Sequence, residues 1–140
     1  MKQKKMGLAL GLIILMLLIG SAAIGYAALP RAEGQIELSD EAFDFGTVPN
    51  TGPVSQTFQV RNVGDGPLSI GGVSTSCGCT TAEIDSRRLS PGQATNLKVT
   101  YDPLAHDGAL GQFMRIVYIR SDDPETPEAS LTIRVTVVEP

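Results

Sequence analysis

The 140-residue sequence contains no tryptophan, one histidine, two cysteines and only 5% aromatic residues. Without a tryptophan or a widely spaced cysteine pair, it cannot be an antibody-type immunoglobulin domain, whose sheets are pinned by a disulfide packed on a buried Trp. Cys77 and Cys79 stand one residue apart, so a disulfide between them closes a tiny loop and removes little unfolded-state entropy. Stability is therefore a poor reason for the pair. No Gly-x-Ser-x-Gly turn occurs, and His106 alone is weak grounds for a catalytic base. No acidic residue precedes residue 30, whereas 8 of the 11 Lys/Arg and all 15 Asp/Glu follow it, leaving a body with a net charge of about −7. Such a body repels phosphate backbones, which argues against a nucleic-acid partner.

What is present begins with Lys2, Lys4 and Lys5, followed by an apolar run from Met6 to Leu29 that carries no charge. At 1.5 Å per residue this run spans roughly 36 Å as a helix, enough to cross a hydrocarbon core of about 30 Å. The leading lysines predict a cytoplasmic N-terminus and an extracytoplasmic body, hence a cell-membrane protein with a single pass. Residues 1–29 are thus expected to be an N-terminal transmembrane anchor. The alternative is a cleaved signal segment, with small residues at Ser21-Ala22-Ala23 and Ala23-Ile24-Gly25. Both versions export the body. A lipid-modified cysteine is excluded, because none lies near the end of the run.

Residues 30–35 read as a short polar linker and residues 36–140 as one domain. Val54, Gln56, Phe58 and Val60 alternate with Ser55, Thr57, Gln59 and Arg61, giving a strand with one mostly apolar face. The same period recurs at Thr95, Leu97, Val99 and Tyr101, and again at Leu131, Ile133, Val135 and Val137. A strongly apolar strand is expected from Phe113 to Ser121 and shorter ones at Ile36–Leu38 and Phe43–Val48, where Gly46 suggests a bulge. Turn clusters at 49–53, 62–67, 90–92 and 121–127 separate them, and Asp102 to Gly111 is a longer loop. Seven or eight short strands and no amphipathic helix after the anchor predict an all-β fold, an antiparallel β-sandwich of immunoglobulin-like size.

Several segments, taken in order, resemble a known family. They are Phe43-Asp44-Phe45-Gly46-Thr47-Val48, Phe58-Gln59-Val60-Arg61-Asn62-Val63-Gly64, Leu68-Ser69-Ile70, Cys77-Gly78-Cys79-Thr80, Leu89-Ser90-Pro91-Gly92, Val99-Thr100-Tyr101-Asp102-Pro103 and Ser121-Asp122-Asp123-Pro124. The chain resembles the bacterial domain-of-unknown-function 1573 family, a relative of the Hydin and major-sperm-protein-like folds. The resemblance covers nearly the whole body. It implies an Ig-like fold and an extracytoplasmic location, and it implies no activity.

The Cys-Gly-Cys stretch allows three chemistries. In a straight strand the Cα atoms of Cys77 and Cys79 are about 6.6 Å apart. That is near the upper limit of about 6.8 Å for a disulfide, so a possible bond needs a bend at Gly78 and would be easily reduced. Two thiolates on one face also suit Cu(I), with Met114 or His106 as candidate third ligands. Zinc fits poorly, because a closed site needs four ligands. In the third reading Val73, Thr75, Cys77, Cys79 and Thr81 share one inward parity and the sulfurs simply fill space. Asp122, Asp123, Glu125 and Glu128 lack calcium-loop spacing and read as a solvated turn, and Arg87-Arg88 as no more than a weak lipid contact. The expected function is non-enzymatic: a membrane-tethered Ig-like module that binds a protein partner, as an accessory subunit of an envelope complex. The alternative is a copper-binding or thiol-redox protein acting through Cys77 and Cys79.

Overall fold

The computed structural model describes residues 31–140, with the His106 side chain left out. The anchor or signal segment assigned to residues 1–29 lies outside the described residues. Among the described residues no helix is long and apolar enough to cross a membrane. Ala32–Pro140 form one compact unit.

Among the described residues nine strands follow one another: β1 (Ile36–Leu38), β2 (Ala42–Pro49), β3 (Val54–Asn62), β4 (Leu68–Thr75), β5 (Thr80–Ile84), β6 (Arg88–Leu89), β7 (Ala94–Tyr101), β8 (Gly111–Ser121) and β9 (Glu128–Val138). A single 3-10 turn, Pro103–His106, interrupts the loop before β8. One sheet has the order β1-β3-β7-β5 and the other β2-β9-β8-β4-β6. The all-β expectation holds, with more strands than anticipated because β5 and β6 are too short to show a period.

One pairing departs from the antiparallel expectation. β2 runs parallel to β9, with Phe43 beside Ile133 and Val48 beside Val137. A parallel neighbour needs no hairpin, so local turn signals cannot announce it. The expected bulge at Gly46 is present as a register shift between Asp44 and Thr47. Gly46 adopts φ 70°, and its N–H is held by Asp44 Oδ1 at 2.8 Å. Left-handed backbone of this kind favours glycine.

The alternating residues of β3, β7 and β9 do face inward. Phe58, Val60, Leu97, Val99, Leu131 and Ile133 meet Leu68, Ile70, Val117 and Ile119 in the main core. Phe43 packs edge-on against both Phe45 and Phe58, at 5.1 and 5.4 Å between centroids. A second buried cluster of Val48, Cys79, Tyr101, Val135 and Val137 fills one end of the sandwich.

The opposite end is closed by polar side chains. Asn62 is fully buried, and its Oδ1 accepts from the N–H groups of Gln35 and Gly64 at 3.1 and 3.0 Å. Its Nδ2 donates to the carbonyls of Gly66 and Leu89 at 2.8 and 3.0 Å. Every hydrogen-bonding atom of this side chain is thereby matched. Residues 30–35, expected to be a linker, are tied to the domain over their second half. Gly66 N–H donates to Glu33 C=O and Val63 N–H to Gln35 C=O, both at 2.9 Å. The approach is close: a Cβ on Gly66 would lie 2.0 Å from the Ala32 carbonyl oxygen.

Asp123 is the second lock, and at this one residue it corrects the solvated-turn reading of Asp122, Asp123, Glu125 and Glu128. Only 3% of it is exposed. Its carboxylate accepts from the N–H groups of Ile36, Glu125 and Thr126 at 2.8, 2.8 and 3.0 Å. Burial alone would raise its pKa, but the three backbone donors outweigh burial and leave it below the ordinary value.

Candidate functional site

The cysteine pair sits at the end away from these locks, where the chain leaves one sheet for the other. A straight run that would set Val73, Thr75, Cys77, Cys79 and Thr81 on one face does not form. β4 ends at Thr75 and β5 starts at Thr80, with a tight turn between them. Thr80 N–H donates to Cys77 C=O at 3.2 Å, closing a four-residue turn with Gly78 and Cys79 at its centre. The Thr75 hydroxyl lies 3.0 Å from the Cys77 carbonyl oxygen and 2.8 Å from that of Thr80, bracing the turn from below. Ser76 N–H bonds Ile116 C=O at 2.9 Å, while Ile116 N–H bonds Ser76 Oγ at 3.0 Å, which fixes the turn to β8.

Folding the motif into a turn breaks its parity. Cys79 and Thr80, neighbours in sequence, are both buried, and Thr81 is exposed. Cys77 is half-buried and Cys79 is 2% exposed. The two residues are separate thiols in this structure. The turn at Gly78 and Cys79 supplies the bend that a bond between them requires. Cys77 Sγ lies back over the turn, accepting from the Cys79 N–H at 3.3 Å. Cys79 C=O accepts from Asp102 N–H at 2.8 Å, which fastens the turn to the end of β7.

The sequence reading passed over Arg115. It shares its parity on β8 with Phe113, Val117 and Ile119, so it points inward from the strand that read as strongly apolar. Its Nε donates to Cys79 Sγ at 3.0 Å and its Nη1 to Met114 C=O at 2.8 Å. Its guanidinium carbon lies 5.1 Å from the centre of the Phe113 ring, so the charge also rests on an aromatic face. Burial works against this charge. The hydrogen bond to Cys79 and the charges of Cys79, Cys77 and Tyr101 overcome that effect, and the pKa of Arg115 is raised. Tyr101, buried in the same cluster, has its phenol pushed up chiefly by burial and next by Cys79. A charged residue at an inward position of an apolar strand is the signal by which the sequence could have shown this site.

Of the two candidate third ligands, Met114 does not come to this turn. Met114 has the opposite parity to Arg115 and is 57% exposed on the outer face of β8. His106 belongs to the 3-10 turn, and its side chain lies outside the described residues. Among the described residues no group of three or more His, Cys, Asp or Glu side chains could hold a metal. Arg87, exposed, donates to Gly71 C=O at 3.2 Å.

The strand that leaves the turn is also a sheet edge. Among the described residues β5 pairs only with β7, with Thr80 opposite Tyr101 and Ile84 opposite Leu97. Asp102 N–H bonds Cys79 C=O and Asp85 N–H bonds Asn96 C=O, so odd-numbered positions face β7. By the alternation of an antiparallel ladder, the backbone groups of Ala82 and Ile84 point away from the sheet. The other edges are blunted. β1 is three residues long with its first N–H taken by Asp123, β6 is two residues long, and β2 is interrupted by its bulge.

Residues 36–137 match the family described as "Protein of unknown function (DUF1573)". The chain belongs to the DUF1573 family. Among solved structures it is similar to a protein of unknown function from Porphyromonas gingivalis W83, with 27% identity and a TM-score of 0.69 over 80% of this chain. The match takes in 51% of that protein, so the chain spans about half its length. It is also similar to a PapD-like domain of human CEP192, with 10% identity and a TM-score of 0.61, covering 84% of this chain and 96% of that one. The E. coli chaperone DraB gives 14% identity and a TM-score of 0.53, over 76% of this chain and 56% of DraB. These last two likenesses concern the fold alone. No curated protein matches.

Proposed function

We propose that this DUF1573 protein is a non-enzymatic interaction module of the cell envelope. Residues 1–29 hold it at the extracytoplasmic face of a membrane, and the β5 edge takes an extended segment of a protein partner. The observation that carries the reading is the edge itself. Among the described residues, of the four strands that end a sheet, β5 alone is neither capped, interrupted nor reduced to two or three residues, and it presents the backbone groups of Ala82 and Ile84 outward. An added strand gains main-chain hydrogen bonds there, and alternate side chains supply the specificity. The likeness to PapD-like folds, a chaperone among them, supports an interaction role for such a sandwich. The uncharged run from Met6 to Leu29 behind three lysines supports the tether.

Ala82→Pro tests the docking edge, because proline removes an outward donor and is tolerated where the N–H faces away from the ladder. The variant is expected to stay folded by circular dichroism and to lose the proteins that co-purify with the full-length chain from membranes. Deleting residues 1–29 is expected to give a folded domain absent from the membrane fraction. Retention of every partner by Ala82→Pro contradicts the docking edge, and retention of the truncated chain in membranes contradicts the tether.

A further inference from the structure

The geometry points to Cys77 and Cys79 as a thiol–disulfide exchange site, with Cys77 bonding a partner's sulfur and Cys79, met by Arg115, resolving that bond. This rests on the turn and on β8, and it is independent of docking at β5. Three observations assign the roles. Cys77 is the more exposed of the two and Cys79 is buried, so an incoming sulfur meets Cys77 first. The Cys79 N–H lies 3.3 Å from Cys77 Sγ, so the outer sulfur is directed back over the inner residue. Arg115 Nε–H lies 3.0 Å from Cys79 Sγ, a donor placed where that sulfur carries negative charge during exchange.

Arg115 also decides between the sulfur chemistries. A guanidinium donating to Cys79 Sγ takes up one direction of approach and repels a cation at that atom, whereas a neutral disulfide partner meets no such repulsion. Among the described residues its counter-charge is not a carboxylate, since the ion pair found there is Arg120 with Glu128. The site therefore suits a reaction that passes through a thiolate more than it suits a bound copper ion.

In the reducing direction the Cys77 thiolate attacks one sulfur of a partner's disulfide. The partner's S–S bond breaks, and its electron pair leaves on the second sulfur, which takes up a proton. The Cys79 thiolate then attacks Cys77 Sγ within the mixed disulfide. The Cys77–Cys79 bond forms, the mixed bond breaks, and the remaining partner sulfur leaves as a thiolate and is protonated. The two protons are those that Cys77 and Cys79 gave up. The partner's disulfide gains two electrons, and the pair is oxidised to a disulfide. In reverse, Cys79 is the leaving thiolate and Arg115 Nε–H receives it.

The test uses the full chain, glutathione disulfide as the probe, acid quench and intact mass. The wild type is expected to form the Cys77–Cys79 disulfide with release of glutathione. Cys79→Ser is expected to stop at a single glutathione adduct, mapped by peptide mass to Cys77, while Cys77→Ser forms no adduct on the same timescale. Arg115→Gln is expected to slow resolution about tenfold, the worth of one charged hydrogen bond, with Arg115→Lys recovering much of the rate. If Arg115→Gln does not fold, the order of alkylation in the native wild type replaces it, with Cys77 labelled before Cys79. An adduct on Cys79, no adduct in Cys79→Ser, or unaltered resolution in folded Arg115→Gln overturns the proposal. A wild type that binds one Cu(I) yet stays a dithiol in glutathione disulfide overturns it in favour of metal. Arg120→Ala, on the outer surface, is expected to react like the wild type, and because glutathione disulfide needs no strand docked on β5, failure of this site and failure of the docking edge are told apart.

Discussion

The two ends of the sandwich treat their polar groups in opposite ways. At the end built from residues 62–67 and 121–128, Asn62 and Asp123 are buried with their side chains bonded to backbone groups, by seven hydrogen bonds in all. At the other end Arg115 faces a sulfur, Tyr101 is buried beside it, and Asn50 Oδ1 is buried with no partner among the described residues. Backbone groups cannot leave once the chain has folded, so the first end is a lock. A sulfur can change its bonding partner, so the second end is equipped for chemistry. The difference separates residues that hold the fold from residues that use it.

The largest effect is expected at the locked end. Asn62→Ala strips partners from two backbone N–H groups and two carbonyls at a fully buried position. The loss is expected to be about 3 kcal/mol by urea denaturation, since each buried group left unmatched costs roughly 1–3 kcal/mol. Cys77 alkylation in the folded fraction is expected to be unchanged. A neutral Asn62→Ala would erase the contrast between the ends.

Asp123→Asn comes next, at about 2 kcal/mol near neutral pH, because the amide presents a donor to one of three N–H groups that now face an acceptor. The sign of its pH dependence follows from the lowered pKa. A carboxyl that titrates below its ordinary 3.8 contributes fully at neutral pH. That contribution begins to go below about pH 4 and is lost as pH falls through the folded value. Stability curves of wild type and Asp123→Asn are therefore expected to converge on acidification. Parallel curves would mean that the carboxylate charge is not what holds β1.

Smallest of all is the exposed pair Arg120 and Glu128, joined at 2.8 Å on the outer surface. Arg120→Ala is expected to leave both stability and thiol exchange unchanged within error, because solvent screens such a pair. A clear loss would show that surface charge matters more here than either end.

The fold was legible where a strand shows its own period. Val54 to Arg61, Thr95 to Tyr101 and Leu131 to Val137 each carry enough alternation to identify an inward face, and the structure buries those faces. β5, β6 and the parallel pairing of β2 with β9 were not legible. Short edge strands have no period to read, and a parallel partner is fixed by contacts some ninety residues apart. Asp123 looked like a turn residue because sequence cannot show that the N–H of Ile36 comes to it across the sandwich. The cysteine motif was found from its spacing, but its shape was not. Whether Gly78 bends depends on the local bonds of the Thr75 hydroxyl and on Ile116 meeting Ser76 from forty residues away, a contact that spacing does not show. Arg115 carried a readable signal that the apolar run around it hid, a charge in phase with Phe113 and Val117.

Amide hydrogen exchange along β5 tests the docking edge most directly. With Asp102 bonded to Cys79 and Asp85 to Asn96, the phase of the ladder is set. The amides of Thr81 and Glu83 are expected to exchange slowly, and those of Ala82 and Ile84 orders of magnitude faster in the protein without its partner. A partner seated on the edge is expected to slow Ala82 and Ile84 alone. Uniform protection across residues 81–84 before any partner is added, or the opposite phase, would contradict the open edge on which the proposed function stands.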